Sequence, residues 1–302
     1  MRVAIILNGI SLQKKFFFAK ILPPLQAHFA VEVFETHSRH DAVSLADKAV
    51  DKRFDIVFAA GGDGTVHQVL NGILHDREEG MNLPVMGIIP IGSGNDFART
   101  LRLKADPEQI ALLLKKNQPH RVDVGKISFT ELDGGNRSQR YFINEVDIGM
   151  GPEVVKRVVA SGRPFGSAAA YYLAILSTFL TYKPFQAKIK TPLWAWEGMI
   201  RTLAVANGKF YGHGYCIGPE AKPDDGLFST FIAGNISVFD FMRLSGKLKK
   251  EARVSAANLE YSEAERAELT SAERVIVEAD GEILGLLPAS IALLPKRLQF
   301  LF

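Results

Sequence analysis

The stretch from Asp55 to Arg99 constrains this chain most, because it holds two glycine-punctuated turns in succession. Asp55-Ile56-Val57-Phe58-Ala59-Ala60 is a short apolar run and reads as a buried parallel strand. Gly61-Gly62-Asp63-Gly64-Thr65 follows, after which Val66, Val69, Leu70, Ile73 and Leu74 fall on one face of a helix. The glycine loop therefore feeds a helix N-terminus, where unpaired N–H groups and the positive dipole end suit a phosphate. The design repeats at once. Val85-Met86-Gly87-Ile88-Ile89 reads as a strand, and Gly92-Ser93-Gly94-Asn95-Asp96 opens a short helix through Arg99. Two such loops at the C-terminal ends of parallel strands face one crevice, where open α/β sheets bind ligands. Either loop alone is equally an ordinary βα turn. Two of them, each with an aspartate beside its glycines, point to a nucleotide site. The site is not a P-loop, since no G-x-x-x-x-G-K-[ST] occurs, and neither loop is the dinucleotide G-x-G-x-x-G.

Around these turns the first half alternates strand and helix. Val3–Leu7 is a strand, Ser11 is placed to cap the next helix, and Pro23-Pro24 is expected to bend or end it. Val31–Glu35 is a strand, and Asp41 is expected to cap a helix with Ala42, Leu45, Ala46 and Ala49 inward. Asp106-Pro107 reads as an N-cap with proline at the first helical position. This alternation predicts a parallel, doubly wound sheet with right-handed crossovers.

The pattern changes near Arg121. Val122–Phe129, Arg140–Val146, Phe185–Lys190, Ile200–Ala206, Leu227–Ile232, Arg274–Ala279 and Ile291–Leu294 read as strands, with helices around Ala168–Leu180 and Val238–Lys249. They predict an antiparallel, β-rich second domain, a sandwich by its turn spacing. Phe16-Phe17-Phe18 is expected in the core, and Lys247, Lys249, Lys250 and Arg253 on a solvated helix face, with anionic headgroups the lesser reading. Leu298–Phe302 is too apolar for a free tail.

At 302 residues and 47% apolar content the chain has room for two cores. Val3–Leu7 is too short for a secretory apolar region, and no stretch approaches the roughly 20 apolar residues of a membrane span. The single cysteine, Cys216, excludes an internal disulfide and argues against a cysteine metal site. A cytoplasmic protein is expected. The net charge of +3 is too weak to imply nucleic acid and does not oppose an anionic membrane surface.

The two loops, Gly61–Thr65 with Asn71-Gly72 and Pro90–Arg99, resemble those of the diacylglycerol kinase catalytic family, which includes bacterial soluble lipid kinases and sphingosine and ceramide kinases. The first motif is shared with NAD kinases and phosphofructokinases; the pair at this spacing is specific. The resemblance implies an NAD kinase/phosphofructokinase-like α/β domain over 1–121, joined by a returning 288–302, and a β-sandwich lipid-substrate domain over 122–287. It implies ATP bound by Asn8, Thr36, Gly61, Gly62, Asp63, Gly64, Thr65, Val66, His67, Gly92, Ser93 and Asn95. Asp280-Gly281 between two apolar runs is by spacing a hairpin turn, with Glu282 solvated. The resemblance instead makes Glu282 a general base on a lipid hydroxyl, beside Asp280, with Asp63, Asp96 and Asp123 around the triphosphate and metal.

Lys222–Leu227 is by composition a plain turn. The resemblance implies a Mg²⁺ held there by Asp225 and the carbonyls of Lys222 and Leu227, as hard cations accept. Asn144, Asn207 and Tyr211–Gly214 also match family positions, though glycines between strands usually mark tight turns. Asn8-Gly9, His67-Gln68, Ser93 and His213 depart from the family pattern, and none removes a carboxylate. The expected protein is an ATP- and Mg²⁺-dependent lipid kinase, working in the cleft between its domains and touching the inner membrane face transiently to reach its lipid. A kinase of a soluble acceptor, NAD kinase-like, and a non-catalytic nucleotide- or lipid-binding protein are the alternatives. The oligomeric state is open, a homodimer included.

Overall fold

The computed structural model describes residues 1–38, 40–161 and 167–302. The chain divides into two compact units, Met1–Val124 with Pro295–Phe302, and Gly125–Leu294. In chain order the first unit contains β1 (Arg2–Leu7), α1 (Lys14–Phe16), α2 (Leu22–Gln26), β2 (Ala30–Glu35), α3 (Asp41–Asp51) and β3 (Ile56–Gly61). There follow α4 (Asp63–Leu74), β4 (Val85–Pro90), α5 (Asp96–Thr100), α6 (Pro107–Lys116) and the start of β5 (His120–Thr130).

The strands β2, β1, β3 and β4 pair in that order, all parallel. The β-branched and aliphatic side chains of β1 and β3 are buried on both faces, as a parallel sheet covered twice requires. Phe17, Ile21, Leu25, Ile110 and Leu114 cover one face together with Ile5 and Phe58. The helices α3 and α4 pack closely, because a Cβ on Gly72 would lie 2.3 Å from the Val43 carbonyl. The α/β expectation is met.

Local signals near the N-terminus acted differently from expectation. Ser11 does not cap a helix: its hydroxyl donates to the Ile91 carbonyl and accepts the Gln13 N–H. Pro23 and Pro24 do not end the helical run. A widened π-turn, Phe17–Ile21, precedes them, and they occupy the first positions of α2, where missing N–H groups cost nothing. Asp41 opens α3 rather than capping it, and its carboxylate accepts the N–H groups of His37 and Ser38. Only Phe17 of the Phe16–Phe18 run is core; Phe16 and Phe18 are exposed.

The second unit contains β6 (Arg137–Phe142), β7 (Glu145–Gly149), α7 (Met150–Ala160), α8 (Ser167–Thr181), β8 (Phe185–Lys190) and β9 (Ala195–Ala206). There follow β10 (Phe210–Tyr211), β11 (Tyr215–Cys216), β12 (Phe228–Gly234), α9 (Val238–Ser245), β13 (Leu259–Ala264), β14 (Arg266–Thr270), β15 (Ile276–Ala279) and β16 (Glu282–Phe300). Its ladders are antiparallel. Two long strands turn from one layer to the other: β9 pairs with β8 through Ile200 and with β7 from Thr202. Likewise β16 pairs with β15 near Glu282 and with β14 at Ala289–Ala292. Phe142, Phe185, Phe228, Val277 and Ile291 fill the core between the layers, and α7, α8 and α9 cover a second apolar cluster with Phe179, Phe231 and Phe241.

The expected strand Arg140–Val146 is two strands, broken at Ile143 and Asn144, whose N–H groups turn to the Asp280 carboxylate instead of a ladder. Ile291–Leu294 is a fragment of the 19-residue β16. The helix expected over Val238–Lys249 stops at Ser245, so the Lys247–Arg253 cluster lies in turns rather than on a helix face. The chain's end is a strand: Phe300 of β16 pairs in parallel with Met86 and its ring meets Phe97 edge-on, inside the first unit.

Candidate active site

In the first unit the four parallel strands end level, with Leu7 opposite Glu35 and Ala60, and Gly61 opposite Pro90. Their following loops therefore share one edge: Asn8-Gly9 after β1, Thr36 after β2, Gly62 after β3 and Ile91-Gly92 after β4. The chain leaves β1 for β2 on one side, then crosses back to β3 on the other. The switch point between β1 and β3 is where such sheets open a ligand crevice. Asn8 borders it and donates its N–H to the Ala60 carbonyl at 2.9 Å. Gly9 donates to the Thr36 hydroxyl at 3.1 Å.

The two glycine loops are bound to each other. The Asp63 carboxylate accepts the N–H groups of Asp96 (2.8 Å) and Phe97 (3.3 Å), so the first residue of α4 caps α5 from a different loop. Asn95, left-handed at φ 57°, accepts the Gly92 N–H and donates to the carbonyls of Pro90 and Gly92. A Cβ on Gly92 would stand 2.2 Å from Gly62 Cα, so only glycine permits this approach. Gly62, Gly64 and Ser93 keep surface at the edge; Gly61, Thr65, Val66 and His67 are buried. His67 faces its helix neighbour Asn71, with 3.3 Å between ring Nε2 and the amide nitrogen. The structure thus brings together the predicted residues Asn8, Thr36, Gly61–His67, Gly92, Ser93, Asn95 and Asp96 on one unit.

Glu282 and Asp280 belong to the other unit. Asp280 (φ 50°) and Gly281 (φ 86°) form a two-residue turn between β15 and β16, closed by the pair Ala279–Glu282. Asp280 is buried, and its carboxylate accepts the N–H groups of Ile143, Asn144 and Glu145 at 2.9–3.0 Å. Glu282 follows on β16, half-buried.

The remaining candidates separate by environment. Asp123 is fully buried and accepts the Lys296 N–H at 2.6 Å, which ties the end of β16 to β5. Asp225 is exposed and accepts the Leu227 N–H, closing the turn on itself with Gly226 at φ 81°. Among the described residues no group of three or more His, Cys, Asp or Glu side chains is set to hold a metal ion. The metal expected at Lys222–Leu227 would have Asp225 as its one carboxylate, with main-chain carbonyls completing an all-oxygen set. Asn144 and Asn207 are buried pegs, donating to the carbonyls of Phe210 and Ile143. His213 (φ 70°) stacks on Tyr171, with ring centroids 6.3 Å apart. In the basic cluster Lys249 lies over the Tyr215 ring, and Arg253 pairs with Glu220.

Sequence reasoning missed an acidic group behind the Asp280 turn. Glu145 and Asp147 alternate on β7, Glu278 lies on β15 with Asp280 in the turn after it, and the two strands pair with Glu278 opposite Asp147. All four are buried. Burial first, then the neighbouring carboxylates, holds Glu145 well above the ordinary range. Burial, opposed by the Thr202 hydroxyl at 2.6 Å, pushes Asp147 up to about 7. Burial, then Asp147, raises Glu278. The available signal was the alternation Glu145-x-Asp147 and Glu278-x-Asp280 within β-branched runs. It reads as a half-solvated strand face, and here both faces are covered.

The family model of the diacylglycerol kinase catalytic domain matches residues 2–127, and that of the YegS C-terminal NAD kinase beta sandwich-like domain matches residues 144–302. The diacylglycerol kinase of Bacillus subtilis is 26% identical over 91% of this chain and 86% of its own length. A protein of Chromohalobacter salexigens named "Probable lipid kinase YegS-like" is 30% identical over 84% of this chain and 78% of its own. A diacylglycerol kinase crystal structure from Bacillus anthracis superposes with a TM-score of 0.75 at 25% identity, covering 100% of this chain and 96% of that one. Yeast NADH kinase, at 8% identity and a TM-score of 0.51 over 99% of this chain and 82% of its own, shares the fold alone.

Proposed function

Because the chain belongs to the diacylglycerol kinase catalytic-domain family, we propose that it transfers the γ-phosphate of ATP to the hydroxyl of a diacylglycerol-like lipid. The observation that carries this reading is the strand edge where two glycine loops are locked together by Asp63. Backbone N–H groups at the start of α4 cradle the phosphates, and the absence of side chains on Gly62 and Gly92 lets them approach. Asn8 and Thr36 border the nucleotide, and Asp96 adds a carboxylate at the second loop. The lipid hydroxyl attacks the γ-phosphorus, Glu282 accepts its proton, and ADP leaves. Mg²⁺, when bound, neutralises charge on the phosphates. A second Mg²⁺ would be held in the Lys222–Leu227 turn by Asp225 and the carbonyls of Lys222 and Leu227, where it would steady the turn.

No helix among the described residues is long and apolar enough to cross a membrane. In this reading the enzyme is peripheral and meets its lipid transiently at the inner membrane face. Radiolabelled ATP offered with diacylglycerol and other hydroxyl lipids in mixed micelles, and in parallel with NAD, tests the reading. Label in a lipid product is expected. Label in NADP alone, or none anywhere with nucleotide still bound, overturns it in favour of a soluble acceptor or a non-catalytic binder.

A further inference from the structure

The turn that presents Glu282 is held from two sides. From one side the Asp280 carboxylate gathers three N–H groups at the β6–β7 break. From the other, Gly281 donates its N–H to Glu278 Oε1 at 2.7 Å. Glu278 is itself hydrogen-bonded to the Glu145 side chain, two positions from Asp147 on β7. A hydrogen bond between two carboxyl groups needs a proton on one of them. Glu145 Oε2 is buried with no hydrogen-bond partner, an arrangement tolerable for a neutral acid's carbonyl oxygen and costly for a carboxylate.

We infer that Glu145 and Glu278 form a proton-holding pair that positions the Asp280–Gly281 turn, so that Glu282 is correctly aimed only while that pair keeps its proton. Neutral Glu145 donates to Glu278, and Glu278 accepts both that bond and the Gly281 N–H. Loss of the proton to solvent sets two carboxylates side by side in a site already holding Asp147 and Asp280. Tyr211 on β10, hydrogen-bonded to Asp147, stays neutral there, and no cation is among the groups that shift this pair. Repulsion then drives the two side chains apart and, where Glu278 is the one that moves, loosens its hold on Gly281. Both glutamates are positioning residues, since neither touches a reacting atom. Burial is the first cause of the raised pKa of both, and it pushes Glu278 up to about 8, so the pair's shared proton is released as pH rises past neutrality.

The inference rests on Glu282 being the base, and its test separates the two. With ATP and diacylglycerol in mixed micelles, wild-type kcat should fall along an alkaline limb. Glu278→Ala should lower kcat at least about tenfold with KM for ATP unchanged, because a misaimed base costs rate rather than nucleotide binding. Glu278→Gln, whose amide keeps both hydrogen bonds, should restore most of that loss and flatten the limb, as should Glu145→Gln. A second readout needs no turnover: the Gly281 amide proton in ¹H–¹⁵N spectra should shift with pH in the wild type and stay fixed in Glu145→Gln. A titrating Gly281 amide in a protein that phosphorylates no lipid would sink the kinase reading and keep the pair. An amide that ignores pH, or an alkaline limb unchanged in both glutamine variants, overturns the pair itself.

Discussion

Asp63 shows how one side chain can serve structure and chemistry together. Its carboxylate caps α5 through two N–H groups, so its loss is not functionally pure. Asp63→Ala should abolish phosphate transfer and also destabilise the protein by about 1 kcal/mol, the worth of a cap. Asp63→Asn retains an acceptor oxygen, so urea unfolding should return towards wild type while turnover stays lost. Full activity in Asp63→Asn would remove the charge from the mechanism. Glu282 is the simpler case. It sits half-buried on β16, and Glu282→Gln keeps its shape and an acceptor oxygen, so the change should lower kcat by roughly 10²–10⁴-fold, the range of a general base. Its effect on stability should stay below about 0.5 kcal/mol. A kcat within threefold of wild type would return Glu282 to being an ordinary hairpin residue.

At the scale of elements, the parts that could be read in the sequence are those whose cause is local. The strand–loop–helix units around Gly61 and Gly92 follow from glycine, apolar period and length within a few residues of one another. The Asp106 cap behaves as written, accepting the N–H groups of Glu108 and Gln109. What could not be read is caused from far along the chain. Arg140–Val146 looks like one strand until Asp280, more than 130 residues later, takes the N–H groups at its middle. The burial of Glu145 and Glu278 was equally invisible, because a sequence shows alternation but not which faces are covered. The Lys222–Leu227 turn is intermediate: its shape is local, and its proposed metal is not. If Asp225 holds Mg²⁺, added Mg²⁺ should raise the wild-type melting temperature and leave that of Asp225→Ala unmoved. The variant should also be slightly less stable without metal, since Asp225 closes its own turn on Leu227. Equal Mg²⁺ shifts in both would remove the site.

Across the whole molecule, the charges that folding perturbs make an uncommon stability profile. Glu145, Asp147 and Glu278 have raised pKa values in the folded state, the last two to about 7 and about 8. Between the unfolded carboxylate range and those values, the folded chain binds more protons than the unfolded one, so stability falls as pH rises. Asp41 and Asp240 act in the opposite sense. Hydrogen bonds from Ser38 and Ser237 lower their pKa values, so their contribution is present above the ordinary aspartate range and fades below it. Many proteins are most stable between about pH 5 and 8. Here the buried acids should pull the optimum to the acid end of that window, with a steady loss towards pH 8. Melting temperatures at constant ionic strength from pH 4 to 9 measure this directly. Glu145→Gln and Glu278→Gln should each flatten the alkaline slope, whereas Ser237→Ala should lower stability above the aspartate range, flatten the acid loss and leave the alkaline slope alone. A wild-type melting temperature that holds level from pH 5 to 8 would mean that these carboxylates find water or a counter-charge in solution, and that β7 and β15 do not seal them.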